Sequence, residues 1–214
     1  MTVPAPRLVT WENGTDLVIE MPVTRTPAEV WEVLVDGSAA GAWFAPFTAI
    51  EETVSVDLGG DSVMTGEILS CEAEEHVLVE FPDFGVLGVQ LLPVDVVPDL
   101  PADAATEIAA LAATGQNPEG TVIVFTQSAP DEVRARQNAA DFGPMWDTHL
   151  RMLARTLGVD VPEAEETDLD ALYSALDLEI DDAEEDALGD DDRGDDGRGD
   201  DDRGDADRLG GEPR

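Results

Sequence analysis

Charged and aromatic residues are so unevenly distributed along this 214-residue chain that only its first three quarters can be expected to form a globular domain. Residues 161–214 hold 23 acidic residues and 5 Arg but one aromatic residue, Tyr173, whereas residues 1–160 hold the other ten aromatics. A segment with high net charge and few large apolar side chains cannot bury enough surface to offset its entropy loss on folding. We therefore predict a single domain over residues 1–160.

The acidic C-terminal quarter divides into two parts. Residues 161–188 are predicted to form a linker. Within it, residues 168–180 have the spacing of a short amphipathic helix outside the domain core. Residues 189–214 are a degenerate five-residue repeat of Asp, Gly and Arg. Because a period of five fits neither helix nor strand, this tail is predicted to be disordered.

The formal charge of −38 excludes several classes of partner. Such a chain repels nucleic-acid phosphates and anionic membrane surfaces. The longest apolar stretch, residues 84–97, is interrupted by Gln90, Pro93 and Asp95, so no membrane span is expected. No signal peptide is visible at the N-terminus, and a cytoplasmic protein is the default expectation. No Lys is present, which excludes a P-loop or a Schiff-base mechanism.

The first third of the domain has clear strand and helix signals. Residues 17–22 alternate as a strand does, and Thr26, Pro27 and Glu29 form a capping box with Pro at the first helical position. The helix ends near Gly37, and a second short helix is predicted to run from Ser38 to Pro46.

The middle of the domain is typical of an antiparallel meander. Strands are predicted at residues 50–58, 62–69, 76–81 and 85–97, the last with a break near Pro93. Residues 98–119 then form a predicted insertion that contains a weak Ala-rich helix at residues 104–113. A β-branched strand follows at residues 121–128.

The last predicted element is a long helix that ends at Gly158. Its apolar residues recur at helical spacing from Phe142 to Leu157. Gly143-Pro144 interrupts the pattern, so residues 131–141 are either a separate short helix or the first part of a kinked one. The whole pattern predicts an α+β fold, with a curved antiparallel sheet wrapped around a long C-terminal helix.

Three motifs, in this order, resemble the START-like helix-grip (SRPBCC) superfamily. The similarity is greatest to the branch related to the activator of heat-shock-protein-90 ATPase. The motifs are Pro27, Val30, Trp31, Trp43 and Phe44; Gly59, Gly60 and Gly66; and Gly120, Thr121, Trp146, Leu150 and Leu153. The resemblance covers about residues 12–158 and implies a cavity between sheet and helix.

The resemblance implies that a hydrophobic small molecule binds in this cavity, with large apolar side chains and one His around it. The candidates are Trp31, Trp43, Phe47, Met64, Phe81, Phe125, Phe142, Met145, Trp146 and His149. The simpler alternative is that these residues only fill the core. His149 is either a polar anchor or a structural His with a hydrogen-bond partner.

Catalysis is less expected than binding. Cys71 has no evident His partner and is expected to be a buried or half-buried strand residue. His76, expected to be exposed, and His149 are isolated, so no metal site and no cofactor are expected. Two alternatives stay open: a protein-interaction module like the chaperone-ATPase activator, and a cyclase- or hydrolase-type enzyme that uses the same cavity.

Overall fold

The computed structural model describes residues 3–94 and 120–180. The predictions for the insertion at residues 98–119, its helix at 104–113 and the tail at 189–214 lie outside the described residues. In the part that is described, no helix is long and apolar enough to cross a lipid bilayer.

The described residues contain nine strands and three helices, which confirms the α+β prediction. The strands are β1 (Ala5–Trp11), β2 (Gly14–Val23), β3 (Phe47–Ile50), β4 (Thr53–Asp57), β5 (Val63–Glu72), β6 (His76–Phe81), β7 (Gly85–Pro93), β8 (Thr121–Ala129) and β9 (Leu178–Ile180). The helices are α1 (Pro27–Val35), α2 (Glu132–Thr156) and α3 (Glu166–Ser174), with a 3₁₀ turn at Ala40–Ala42.

All the strands lie in one sheet, in the order β3-β4-β5-β6-β7-β8-β2-β1-β9. Neighbouring strands are antiparallel except β1 and β9, which are parallel. The long helix α2 packs across one face of this sheet, against β2 and β8. This is the helix-grip arrangement expected from the sequence.

The local signals around α1 correspond closely to its structure. The Thr26 hydroxyl accepts from the backbone N–H of Glu29, and the Glu29 carboxylate accepts from the backbone N–H of Thr26, so the capping box is present. The predicted second helix, however, is only the 3₁₀ turn at Ala40–Ala42. The chain leaves helical geometry at Trp43, which brings Trp43 and the following Phe44 against the main core.

Of the two alternatives for residues 131–141, the separate short helix is wrong, because α2 runs without a break from Glu132 to Thr156 and contains Pro144. Proline lacks the N–H that would bond to the carbonyl four residues earlier, and its ring crowds that carbonyl, but tertiary packing can offset this cost. The buried residues of α2 include Trp146, Leu150 and Leu153, which face the sheet.

The strand predicted at residues 50–58 is shorter and corresponds to β4. A turn with Glu51 at φ 55° precedes it, and Ile50 ends β3, a strand that the sequence pattern did not predict. The strand predicted at residues 85–97 ends at Pro93, the last residue of β7. Cys71 is exposed rather than buried.

The helix predicted at residues 168–180 is present as α3, but it belongs to the core. Leu169, Tyr173 and Leu176 are buried in the same cluster as the apolar face of α2. The strand that follows, β9, pairs with β1, a strand that the sequence pattern did not predict. The domain therefore continues well past residue 160.

A buried polar network also joins α2 to the segment after it. The Tyr173 hydroxyl donates to Asp147 Oδ2 at 3.1 Å, and Asp147 Oδ1 accepts from Arg151 Nε. Arg151 also donates to the carbonyl of Pro162 at 2.9 Å. Asp147 is fully buried, so each of these polar groups depends on the others for its hydrogen bonds.

Candidate ligand-binding site

A cavity of about 120 Å³ lies between α2 and the sheet. Thirteen residues form its wall, and apart from one His they are aliphatic or aromatic. They are Leu34, Trp43, Phe44, Val77, Phe81, Leu87, Val89, Ile123, Phe125, Trp146, His149, Leu150 and Leu153.

Two simple periodicities bring these side chains together. On α2, Trp146, His149, Leu150 and Leu153 follow the spacing of three and four residues that defines one face of a helix. On the sheet, Val77 of β6 lies opposite Val89 of β7, which in turn lies opposite Phe125 of β8. Cross-strand partners share a face of a sheet, so the row points towards α2.

Trp146 is held in place by a hydrogen bond inside the core. Its indole Nε1–H donates to Gln127 Oε1 at 3.1 Å, and the Gln127 amide donates to the Phe84 carbonyl at 2.9 Å. The indole also packs on Phe125, with ring centroids 5.0 Å apart. Trp146 is thus a rigid wall of the cavity, with its own polar atom already satisfied.

His149 contributes a neutral imidazole to the wall. Its Nδ1 lies 2.8 Å from the backbone carbonyl oxygen of Trp43. A carbonyl can only accept, so Nδ1 carries the proton and Nε2 is left as an acceptor. Burial lowers the pKa of His149, and the hydrogen bond to the Trp43 carbonyl opposes that shift only in part. The structural interpretation of His149, a His with a hydrogen-bond partner, therefore fits its position.

Trp43, one of the wall residues, carries an unsatisfied polar atom. Its ring stacks on Phe44 with centroids 5.8 Å apart. Its indole Nε1 is buried and has no acceptor among the described residues. A buried donor without a partner is rare in folded proteins and calls for an explanation.

Half-buried residues indicate where the cavity opens. Trp43, Phe44 and His149 are half-buried on one side, as are Val77, Leu87 and Val89 of β6 and β7 on the other. The remaining seven wall residues are buried. The mouth therefore lies between the segment after α1 and strands β6 and β7.

The ten residues predicted from the sequence divide into three groups. Trp43, Phe81, Phe125, Trp146 and His149 line the cavity. Trp31, Phe142 and Met145 are half-buried against the main core but do not line it. Phe47 and Met64 belong to a second apolar cluster around Val54 and Val56 on β4, which adjoins the wall through Phe81, and they do not line the cavity.

Eight wall residues were missed by the sequence prediction: Leu34, Phe44, Val77, Leu87, Val89, Ile123, Leu150 and Leu153. Leu150 and Leu153 lie four and seven residues after Trp146, so the helical period could have identified them. The strand residues are smaller and carry no distinctive signal, because their place in the wall depends on strand pairing.

One group of described side chains has metal-ligand spacing. The ligand atoms of Glu72, Glu75 and His76 all lie within 4.8 Å of one another. Both carboxylates are exposed, and the half-buried His76 is hydrogen-bonded to the Ser70 hydroxyl at 2.8 Å. Exposed carboxylates are expected on so acidic a protein. The proximity of these three side chains therefore does not support a metal site.

Comparison with solved structures identifies similar folds. CalU16 from Micromonospora echinospora matches in its crystal structure with 17% identity, over 81% of this chain and 93% of that protein, with a TM-score of 0.51. Its solution structure matches with 15% identity over 82% and 95%, with a TM-score of 0.53. A conserved protein of unknown function, EF2215 from Enterococcus faecalis, matches with 16% identity over 79% and 87%, with a TM-score of 0.54.

No protein-family model matches the sequence. No curated protein matches it either. The structural likenesses do not support the branch related to the chaperone-ATPase activator over other branches. Together with the observed architecture, they show that the chain has the START-like helix-grip fold.

Proposed function

We propose that the protein binds a small, neutral molecule, about the size of one aromatic ring, in the cavity between α2 and the sheet. One observation supports the proposal above all others. An apolar cavity of about 120 Å³ is bordered by Trp43, whose buried indole N–H has no acceptor among the described residues.

The size of the cavity argues for a functional role. A closed void in a protein core costs roughly 24 cal/mol per Å³ in mutational series, so about 3 kcal/mol is an upper bound for a cavity of this volume that opens at a mouth. Apolar cavities of about 150 Å³ take up molecules such as benzene. A ligand of similar size would restore the missing contacts.

The unsatisfied indole predicts a polar feature of the ligand. A buried donor without an acceptor costs about 1–3 kcal/mol, and a ligand oxygen next to Trp43 would remove that cost. One oxygen acceptor is enough to satisfy this donor, so a ring that bears a hydroxyl fits best.

The same wall disfavours ions. None of the thirteen wall residues is an acid, an Arg or a Lys, and burial keeps His149 neutral near pH 7. A charged ligand would lose its hydration without gaining an opposite charge, which is strongly unfavourable in an apolar site.

The proposal is tested by titrating the full chain with phenol, benzene and benzoate while the four Trp indole N–H signals are followed by NMR. We expect saturable binding of phenol and weaker binding of benzene, with shifts at Trp43 and Trp146 and none at the exposed Trp11. Benzoate is expected not to bind. One hydrogen bond of about 1 kcal/mol corresponds to about a fivefold preference for phenol.

Two variants and a control locate the site. Val89→Phe places a larger side chain in the cavity and should abolish binding. Leu92→Phe enlarges a side chain on the same strand, β7, but outside the cavity wall, so it should not affect binding. Trp43→Phe keeps the ring but removes the N–H, so it should erase the preference for phenol over benzene. If no probe gives a saturable response, or if Val89→Phe binds as the parent does, the proposal is wrong.

Catalysis in this cavity would need more than the structure offers. His149 is the one titratable group in the wall, and its Nδ1 is already committed to the Trp43 carbonyl. A role like that of the chaperone-ATPase activator rests on the sequence motifs alone. Neither alternative is favoured by a specific contact among the described residues.

A further inference from the structure

A second concave site lies on the opposite face of the sheet, and Val89 is the one residue that its lining shares with the cavity wall. The site is a groove of about 370 Å³, and its lining includes Trp11, Asp16, His76, Gln90, Thr126 and Ser128. The sequence around Asp16 and the following Leu17 explains the separation. Leu17 is fully buried in the main core, and adjacent strand residues point to opposite faces, so Asp16 faces away from α2.

The carboxyl group of Asp16 is unusual for its position. Asp16 is only 2% exposed, although it lies on the face of the sheet that α2 does not cover. The Ser128 side chain, directly across from it on β8, forms a hydrogen bond with the carboxyl group. The other oxygen, Oδ1, is buried and has no partner among the described residues.

A buried carboxylate oxygen without a partner in the described part of the chain, such as Asp16 Oδ1, requires a hydrogen-bond donor. Buried carboxylates are found paired or fully hydrogen-bonded, because an unpaired buried charge is strongly unfavourable. Asp16 lines a groove large enough for a small ligand, so a ligand N–H can supply the missing hydrogen bond.

Trp11 indicates that the donor is a cation. On β1, Val9 pairs directly with Asp16, and Trp11 lies two residues further along the same face. Such diagonal neighbours on a sheet are within reach of an aromatic side chain. Trp11 is 52% exposed, so its ring is available to a ligand, and cations bind favourably over the faces of Trp rings.

We propose that this groove binds a small organic cation with N–H donors, such as a primary ammonium or guanidinium ion. One N–H donates to Asp16 Oδ1 while the positive charge lies against the Trp11 ring. The formal charge of −38 raises the local concentration of cations but is not selective. The selectivity comes from the buried carboxylate beside an exposed indole.

The test uses the full chain in 0.3 M NaCl, which screens non-selective attraction by exposed acids. n-Butylammonium, methylguanidinium and tetramethylammonium are titrated while the Ser128 backbone amide and the Trp11 indole N–H are followed by NMR. We expect saturable shifts with the first two ions. Tetramethylammonium has no N–H, so it should bind at least tenfold more weakly.

Asp16→Asn removes the charge with little change of shape and should weaken n-butylammonium binding at least tenfold. Glu67→Gln is the matched control. Glu67 is exposed, loses the same charge, lies outside the groove lining and should leave the affinity within twofold. Trp11→Phe, followed at the Ser128 amide, should weaken binding severalfold and alters an exposed side chain that the fold does not require.

The proposal is overturned if no ion gives saturable shifts, or if tetramethylammonium binds as tightly as n-butylammonium. It is also overturned if Asp16→Asn and Glu67→Gln have equal effects. Phenol binding in the cavity is measured separately. A negative result for the cation in the groove therefore does not affect the test of the cavity, and the reverse also holds.

Discussion

The ring of Tyr173 packs against Gly143 so closely that a β-carbon on residue 143 would overlap it. Gly143 lies in the middle of α2, where glycine is otherwise unfavourable by about 1 kcal/mol relative to alanine. The contact explains why the helix contains glycine at this point. It also links α2 to α3, the helix that the charge distribution placed outside the domain.

This contact predicts that Gly143→Ala is destabilising. Helix propensity alone would make the substitution favourable, but the overlap with Tyr173 should lower the free energy of unfolding by about 1–3 kcal/mol. Urea-induced unfolding, followed by circular dichroism, measures the change. In a Tyr173→Ala background the overlap is absent, and Gly143→Ala should then be neutral or stabilising. Stabilisation in the parent background would contradict the packing argument.

The position of α3 predicts the effect of truncation. Removing residues 161–214 exposes the sites of Leu169, Tyr173 and Leu176, and each such side chain contributes about 1.5–3 kcal/mol through burial. We expect the free energy of unfolding to fall by about 5 kcal/mol or more, which is a large part of a typical domain's stability. A chain cut after Asp181 keeps these residues.

The chain cut after Asp181 is therefore the control, and we expect its stability to be within about 0.5 kcal/mol of the full chain. Both truncations are compared in high salt, because they remove different amounts of negative charge. Equal stability of the two shortened chains would mean that α3 and β9 do not support the domain.

His149 predicts a loss of stability in acid. Burial lowers the pKa of His149 in the folded protein, whereas the unfolded chain has the ordinary value near about 6.5. As the pH falls below that value, the unfolded state takes up the proton first, so stability decreases. The decrease levels off once the pH is below the folded-state pKa.

The measurement is the free energy of unfolding of the parent and of His149→Gln from pH 8 to pH 5. Gln does not titrate, so the difference between the two proteins should be constant above about pH 7.5 and should shift towards the variant below about pH 6.5. A difference that stays constant across the whole range would contradict the burial of His149.

Asp16 predicts the opposite dependence on pH. Burial raises the pKa of Asp16 in the folded protein, and the hydrogen bond with Ser128 only partly opposes that shift. As the pH rises from the unfolded-state value, about 3.9, the unfolded chain loses its proton first and the folded state loses stability. The loss is complete once the pH is above the raised pKa.

Asp16→Asn should therefore be more stable than the parent at pH 7, and the advantage should shrink towards about pH 3.5. Thermal unfolding at a series of pH values measures it. An advantage that is equally large at both ends of the range would point to a packing effect and not to a buried carboxyl group.

Much of the fold could be predicted because its signals are local. The capping box at Thr26 and Glu29 starts α1, the alternation in β2 predicts a strand, and so does the β-branched run in β8. The period of three and four residues around Trp146 identifies the face of α2 that meets the sheet. These patterns depend only on residues near one another in the chain.

The candidate site was only half predictable for the same reason. Trp43, Phe81, Phe125, Trp146 and His149 line the cavity, but Phe47 and Met64, which are equally apolar, pack around Val54 and Val56 and do not line it. Periodicity shows that a residue points inward. It does not show which other elements surround that residue.

The sequence by itself determined the α+β class, the positions of most strands and the apolar faces of the helices, since each follows from short-range spacing and the steric preferences of the backbone. Tertiary structure decided that Tyr173 lies against Gly143, that β9 pairs with β1, and that Asp16 is buried. All three depend on contacts between residues far apart in the chain. A low aromatic content after residue 160 could not reveal that the few apolar residues there, Tyr173 among them, complete the core.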